Sequence, residues 1–126
     1  MDASAEDPAL LVIVDGANTV GSVPDGWWRD RRGAAERLRD RLAADGVPRL
    51  AERAEIVLVV EGAARGVEPV AGVRVEAADG SGDDLIVRLV ERSGGRAVVV
   101  VTADRELRRR VTELGADVTG PRAVRG

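Results

Sequence analysis

The chain has 126 residues, a formal net charge of -3 and 44% hydrophobic residues, with no cysteine and no histidine. That excludes disulfides, thiolate or imidazole metal ligands, cysteine nucleophiles and Ser-His-Asp catalysis. Lysine is absent as well, which removes Schiff-base chemistry and the lysine of a P-loop; all 19 cations are therefore arginines.

What remains for chemistry is carboxylates, hydroxyls, arginine and whatever the carboxylates can bind. The length suits one compact core, and the near balance of charge does not by itself announce a nucleic-acid partner. Arginine forks onto phosphate oxygens in pairs, although a GC-rich genome would also favour it over lysine. With Trp27 and Trp28 as the sole aromatics, the core must be aliphatic. No run of about 18 apolar residues and no basic stretch ahead of an apolar one predicts a cytoplasmic protein with no membrane partner.

Residues 1–8 are small and acidic and read as a disordered tail, leaving 9–126 as a single domain. "ALLVIVD" (9–15) is a continuous apolar run, the pattern of a strand buried on both faces. "EIVLVVEG" (55–62), "GVRVEA" (72–77) and "RAVVVVTAD" (96–104) repeat it, and "ADVTG" (116–120) makes a short fifth strand. Helical periodicity lies between them. "GAAERLRDRLAADG" (33–46) aligns Ala35, Leu38 and Leu42 and stops at Gly46 and Pro48. "DDLIVRLVERSGG" (83–95) turns Leu85, Ile86, Leu89 and Val90 inward, and "DRELRRRVTELG" (104–115) does so with Leu107, Val111 and Leu114. Strands alternating with amphipathic helices predict a three-layer α/β/α sandwich around a mainly parallel sheet of about five strands. The unassigned stretches 16–32 and 62–72 fall where open α/β sheets bind ligands, beyond the carboxyl ends of the strands.

The acids gather at that same edge: Asp15 and Glu61 end strands, Asp83 and Asp84 open a helix, and Asp104 follows the fourth strand. Converging carboxylates repel unless a cation offsets them, and an all-oxygen donor set suits Mg or Mn. Such an ion lowers the pKa of a bound water and steadies charge on a phosphoryl group. The competing reading is structural. Asp83, Asp84 and Asp104 stand where helices begin and suit N-caps, and Asp15-Gly16 suits a turn. Asn18, the only asparagine in the chain, either closes an Asx-turn or uses its amide on Asp15 or a substrate phosphate. Thr102 either orients a carboxylate or phosphate or is an ordinary β-branched strand residue.

In "GSVPDGWWRDRRG" (21–33), Trp27 or Trp28 is placed to stack on a base while Arg29, Arg31 or Arg32 meets phosphate; the opposing expectation is that at least one tryptophan plugs the core. In "RELRRR", Arg108 to Arg110 read as a solvated face, whereas Arg105 adjoins Asp104 and is placed to reach phosphate or pair with an acid.

The ordered set "VIVDGANTVG", "VVEG", "GSGDDLIVRLV" and "VVVVTADREL", spanning residues 11–107, resembles the NYN group of PIN-like nucleases, most closely its YacP-like branch. The resemblance implies a PIN-like fold and a carboxylate cluster that binds Mg or Mn to cleave phosphodiesters, usually of RNA. By its motifs, Asp15 and Asp83 or Asp84 would bind metal, Asn18 would have a positioning role, and Thr102 and Asp104 would belong to the site, with Glu106 a weaker ligand candidate. Two positions depart from the pattern: Glu61 stands where YacP-like relatives commonly have Asp, and Ser81 stands where 5′-nuclease relatives have glutamate.

The leading expectation is therefore an Mg- or Mn-dependent endoribonuclease acting on single-stranded or loop RNA as a monomer or homodimer. Its catalytic acids are Asp15, Asp83, Asp84 and Asp104. The alternative is a catalytically inactive RNA-binding module of the same fold. A receiver-like phosphate-handling domain ranks last, because it uses a lysine this chain lacks.

Overall fold

Consecutive aliphatic residues form strands where a sheet is covered on both faces. The computed structural model, which describes residues 10–23, 26–47 and 54–125, shows this arrangement. The N-terminal segment 1–8 and Pro48 lie outside the described residues. Strands β1 (Leu10–Asp15), β2 (Glu55–Val60), β3 (Val73–Ala77), β4 (Ala97–Val101) and β5 (Asp117–Thr119) form one sheet in the order β3-β2-β1-β4-β5. Every neighbouring pair is parallel.

Alternate side chains of each strand enter different cores, as the two-residue period requires. Val12, Val14, Ile56, Leu58 and Val60 face one layer, while Leu11, Ile13, Val57, Val59, Val98 and Val100 face the other. Helix α2 (Arg31–Asp45) covers the first face with Ala35, Leu38 and Leu42, joined by Val124 of the short α5 (Arg122–Arg125). Helices α3 (Gly82–Glu91) and α4 (Arg105–Glu113) cover the second with Leu85, Ile86, Val90, Leu107 and Val111. The expected α/β/α sandwich is the observed fold.

Three local expectations are corrected. Residues 16–21, read as loop, form a helix of one and a half turns, α1 (Gly16–Gly21). Leu114 is exposed, because α4 ends at Glu113 and the chain turns before Leu114 can face the core. Helix α3 is capped by Ser81, whose hydroxyl accepts from the Asp83 N–H at 3.1 Å. Asp83 and Asp84 therefore lie in its first turn rather than at the cap.

The strand order fixes where a ligand goes. From β1 the chain builds outward through β2 and β3, then α3 carries it back past β1 to β4, so the direction of winding reverses between β1 and β4. Loops leaving the carboxyl ends of these two central strands diverge to opposite faces and open a crevice. Asp15 ends β1 and Thr102 follows β4 at this point.

Candidate functional site

Asp15 is a charged group at the end of a doubly covered strand, and only 5% of its surface reaches solvent. It caps α1, accepting the Asn18 backbone N–H on Oδ1 at 3.3 Å and the Thr102 hydroxyl on Oδ2 at 2.9 Å. These bonds favour the anion, but burial outweighs them, and Asp83 and Glu61 add like charge; the Asp15 pKa is pushed from 3.8 up to about 6.

Thr102 is fully buried. While donating to Asp15, its oxygen accepts the Asp104 N–H at 3.1 Å, and its carbonyl accepts from Arg108 Nε at 2.7 Å. Its hydroxyl thus orients the Asp15 carboxylate, and with no surface exposed the side chain does not itself reach solvent. Asn18 acts on a different partner than expected: its carboxamide oxygen accepts the Ala103 N–H at 2.8 Å. The Asn18 side chain thereby ties the start of α1 to the turn between β4 and α4, while its backbone serves Asp15.

Asp83 is held above its ordinary pKa by burial first, then by the charges of Asp104 and Glu61, with Arg110 opposing. Glu61 projects across to α3, where its Oε2 accepts the Gly82 N–H at 3.1 Å. A Cβ at residue 82 would stand 3.2 Å from Glu61 Oε1, so glycine there allows this approach. Asp104 caps α4 by accepting the Leu107 N–H at 2.9 Å, as an N-cap reading of it predicts. Gly16 lets α1 start against β2, since a Cβ there would meet the Val59 carbonyl oxygen at 2.5 Å.

Asp83 and Glu61 thus act on Asp15 at the crevice and Asp104 acts on Asp83, and among the described residues none of the four is ion-paired with an arginine. The other two acids are drawn elsewhere: Asp84 pairs with Arg110 at 3.0 Å, and Glu106 pairs with Arg109 on the exposed side of α4. Among the described residues no three acidic side chains stand close enough to form a ready-made ligand group. The donor set is nonetheless all oxygen, anionic and uncompensated, which fits a hard divalent cation that keeps much of its own water shell.

Beside the acids lies a cleft of about 560 Å³ bounded by Gly16 and Glu61 on the acidic side and by Trp27, Arg31, Arg65 and Asp79 on the other. No protein-family profile and no curated protein sequence matches the chain. A solved structure does: Rae1 (YacP) from Bacillus subtilis, crystallised as a tryptophan-to-leucine mutant, is similar with a TM-score of 0.67 and 18% identity, over 90% of this chain and 70% of that one. The fold is YacP-like. At that identity the likeness concerns the arrangement of the backbone, and the roles of side chains rest on the geometry of this chain.

The tryptophans do not enter the YacP-like core, against the expectation that one would plug it. They sit on a 3-10 turn (Trp27–Arg29) with ring centroids 6.1 Å apart and planes at 89°. Trp28 is 55% exposed with Arg29 over its ring at 5.9 Å, and Trp27 is half-buried with Arg31 over it at 5.4 Å. Arg32 is engaged structurally, donating to the Gly66 carbonyl at 3.3 Å and lying 3.8 Å from Glu36. Arg105 is exposed beside Asp104 and makes no ion pair among the described residues. Arg108 and Arg110 were legible only as part of a charged run, yet one holds the Thr102 carbonyl and the other takes Asp84. Arg65 and Asp79, which pair at 3.2 Å beside the cleft, carried no motif signal. No helix among the described residues is long and apolar enough to cross a membrane.

Proposed function

We propose that the protein is an Mg- or Mn-dependent nuclease that hydrolyses phosphodiester bonds in single-stranded or loop RNA. The observation that carries this reading is Asp15: a carboxylate buried at the switch point, raised in pKa and, among the described residues, left without a cationic partner. Keeping such a group costs stability unless something positive binds there. Support also comes from the YacP-like fold and from the "DGAN", "GDD" and "TADREL" motifs on the loops of the crevice.

In this reading Asp15, Asp83 and Asp104 would hold the ion in part through its own water shell, with Glu61 beside them, since no three acids stand close enough for a ready-made ligand group among the described residues. When bound, the ion supplies a water of lowered pKa and offsets charge building at phosphorus. The chain's own residues do the rest. Thr102 fixes which oxygen of Asp15 faces the crevice, Asn18 locks α1 against the β4–α4 turn, and burial by the central strands keeps the local dielectric low. Arg105, exposed beside Asp104, meets the RNA backbone next to the acids. Asp84 is a supporting residue, since Arg110 already engages it.

The test is cleavage of a single-stranded RNA by wild type and by Asp15→Asn with Mn, alongside RNA binding by each. Loss of cleavage with binding retained supports the assignment, and equal cleavage by both would overturn it. A second reading, an RNA-binding module without turnover, is favoured by the absence of three preassembled acids among the described residues. RNA binding by wild type with no Mg- or Mn-dependent cleavage selects it.

A further inference from the structure

The cleft beside the acids has features that phosphate chemistry does not require. Val20, Ala35 and Val60 give it an apolar floor, the Trp27 indole forms a wall, and the Arg31 guanidinium lies over that indole at 5.4 Å. Indole and guanidinium planes are both surfaces on which unstacked RNA bases stack. Arg65 and Asp79 place a hydrogen-bond donor and an acceptor together, 3.2 Å apart, within reach of the polar edge of a ligand seated there. A volume of about 560 Å³ suits a nucleotide-sized ligand.

The cleft is also continuous with the acidic cluster. Glu61 borders both, through its place in the cleft and its bond to Gly82 at the start of α3, and Gly16 follows Asp15 directly. A strand whose phosphate sits at the acids would therefore lay an adjoining nucleotide into the cleft. Arg31 and Arg65 offset the repulsion that the acids impose on its phosphate.

We propose that this cleft is a nucleobase subsite, in which one base flanking the reactive phosphate unstacks from the RNA and lies against Trp27 and Arg31. The inference rests on the nuclease reading for its substrate, and it adds a binding step that reads the base rather than the backbone. Trp28, exposed on the outer side of the turn, is not part of the subsite.

Tryptophan fluorescence tests it without catalysis. The full chain is titrated in EDTA with AMP, GMP, CMP and UMP, and separately with ribose 5-phosphate, which has the phosphate and sugar but no base. Quenching by at least one nucleotide, with none by ribose 5-phosphate, is expected. Trp27→Leu should abolish the quench and Trp28→Leu should keep it. Ala17→Leu, at an exposed position on the cleft wall, should weaken nucleotide binding about tenfold or more by filling the space while leaving both tryptophans in place. Equal quenching by ribose 5-phosphate, no quenching by any nucleotide, or a quench that survives Trp27→Leu but not Trp28→Leu would each overturn the subsite. The two proposals fail separately: nucleotide binding without RNA cleavage removes the nuclease and keeps the subsite, and cleavage without nucleotide binding does the reverse.

Discussion

The two ends of the parallel sheet treat their carboxylates in opposite ways. At the amino end, Glu55 opens β2 and is bound on both oxygens, by Arg96 at 2.7 Å and by Arg74 at 2.7 Å, and these guanidinium groups hold its pKa below the ordinary range. Arg96 also reaches the Leu10 carbonyl and Arg74 reaches Glu76, so a network joins the first residues of β1 and β2 to β3. At the carboxyl end, Asp15 is more deeply buried and has two neutral hydrogen bonds, like charges nearby and, among the described residues, no arginine partner. A chain with 19 arginines had the means to neutralise both ends. It did so where the sheet needs holding together and left the other end electrostatically unsatisfied at the crevice, where open α/β sheets take their ligands. Stability is what uncompensated burial gives up, and in the proposed function a bound cation would restore it.

The largest expected effect comes from removing the charge of Asp15. Under the proposed function, Asp15→Asn should lower Mn-dependent RNA cleavage about a hundredfold or more, because the ion would lose its most buried ligand. Stability should move the other way. In the fold Asp15 keeps its proton up to about pH 6, whereas unfolded it releases it near 3.8. Between those values the native state binds the extra proton, so this residue's contribution makes stability fall as pH rises, by roughly 3 kcal/mol in all. The amide carries no charge, so the difference in urea stability between variant and wild type should grow from pH 4 to pH 6.5 in favour of the variant. Saturating Mn at pH 7.5 should raise the melting temperature of wild type and leave that of Asp15→Asn nearly unchanged. A wild type indifferent to Mn would break the contrast between the two ends.

How much of this the sequence carried depends on distance along the chain. The strands were legible because a run such as "LLVIVD" has no polar residue to place it elsewhere, and Asp15 was legible because it interrupts that run. Helix α1 was not. "GANTVG" holds two glycines and two β-branched residues, and it becomes helical because Asp15 caps it and β2 packs against Gly16. The partner of Asn18 is 85 residues away, which no local pattern encodes. Asp83 and Asp84 looked equivalent because they are adjacent. Successive helical residues point about 100° apart, so when one faces the acids the other swings toward α4 and meets Arg110. The tryptophans defeated a compositional argument: enough Val, Leu and Ile fill both cores that neither indole is needed inside.

Thr102→Val sharpens the comparison by disturbing the unsatisfied end without altering its charge. The valine keeps the shape but removes the donor to Asp15 and the acceptor for the Asp104 N–H. Stability should fall by about 1–3 kcal/mol in urea melts. Because the lost bond favours the Asp15 anion, the Asp15 pKa rises further, and the acid limb of the pH profile for cleavage should move to higher pH. An unmoved acid limb would mean that Thr102 does not govern Asp15. Asn18→Ala is a milder version. It frees the exposed Ala103 N–H to bond water, so a loss of about 1 kcal/mol or less is expected, with cleavage down about tenfold as α1 loosens from the β4–α4 turn.

The smallest effect is expected at the satisfied end, and its sign matters more than its size. Glu55→Gln removes the charge that binds Arg74 and Arg96, whose side chains are 54% and 32% exposed and so regain water when released. The cost should be about 1 kcal/mol, with cleavage unchanged. The Glu55 pKa is lowered in the fold, so its contribution is present above the unfolded value of 4.5 and is lost as pH falls through the folded one. The penalty of Glu55→Gln should therefore vanish in acid, while the benefit of Asp15→Asn appears only as pH rises. At pH 7 two substitutions of one chemical kind, acid to amide at opposite ends of neighbouring strands, should shift stability in opposite directions. If both destabilise equally, the uncompensated state of Asp15 is not what distinguishes the carboxyl end of the sheet.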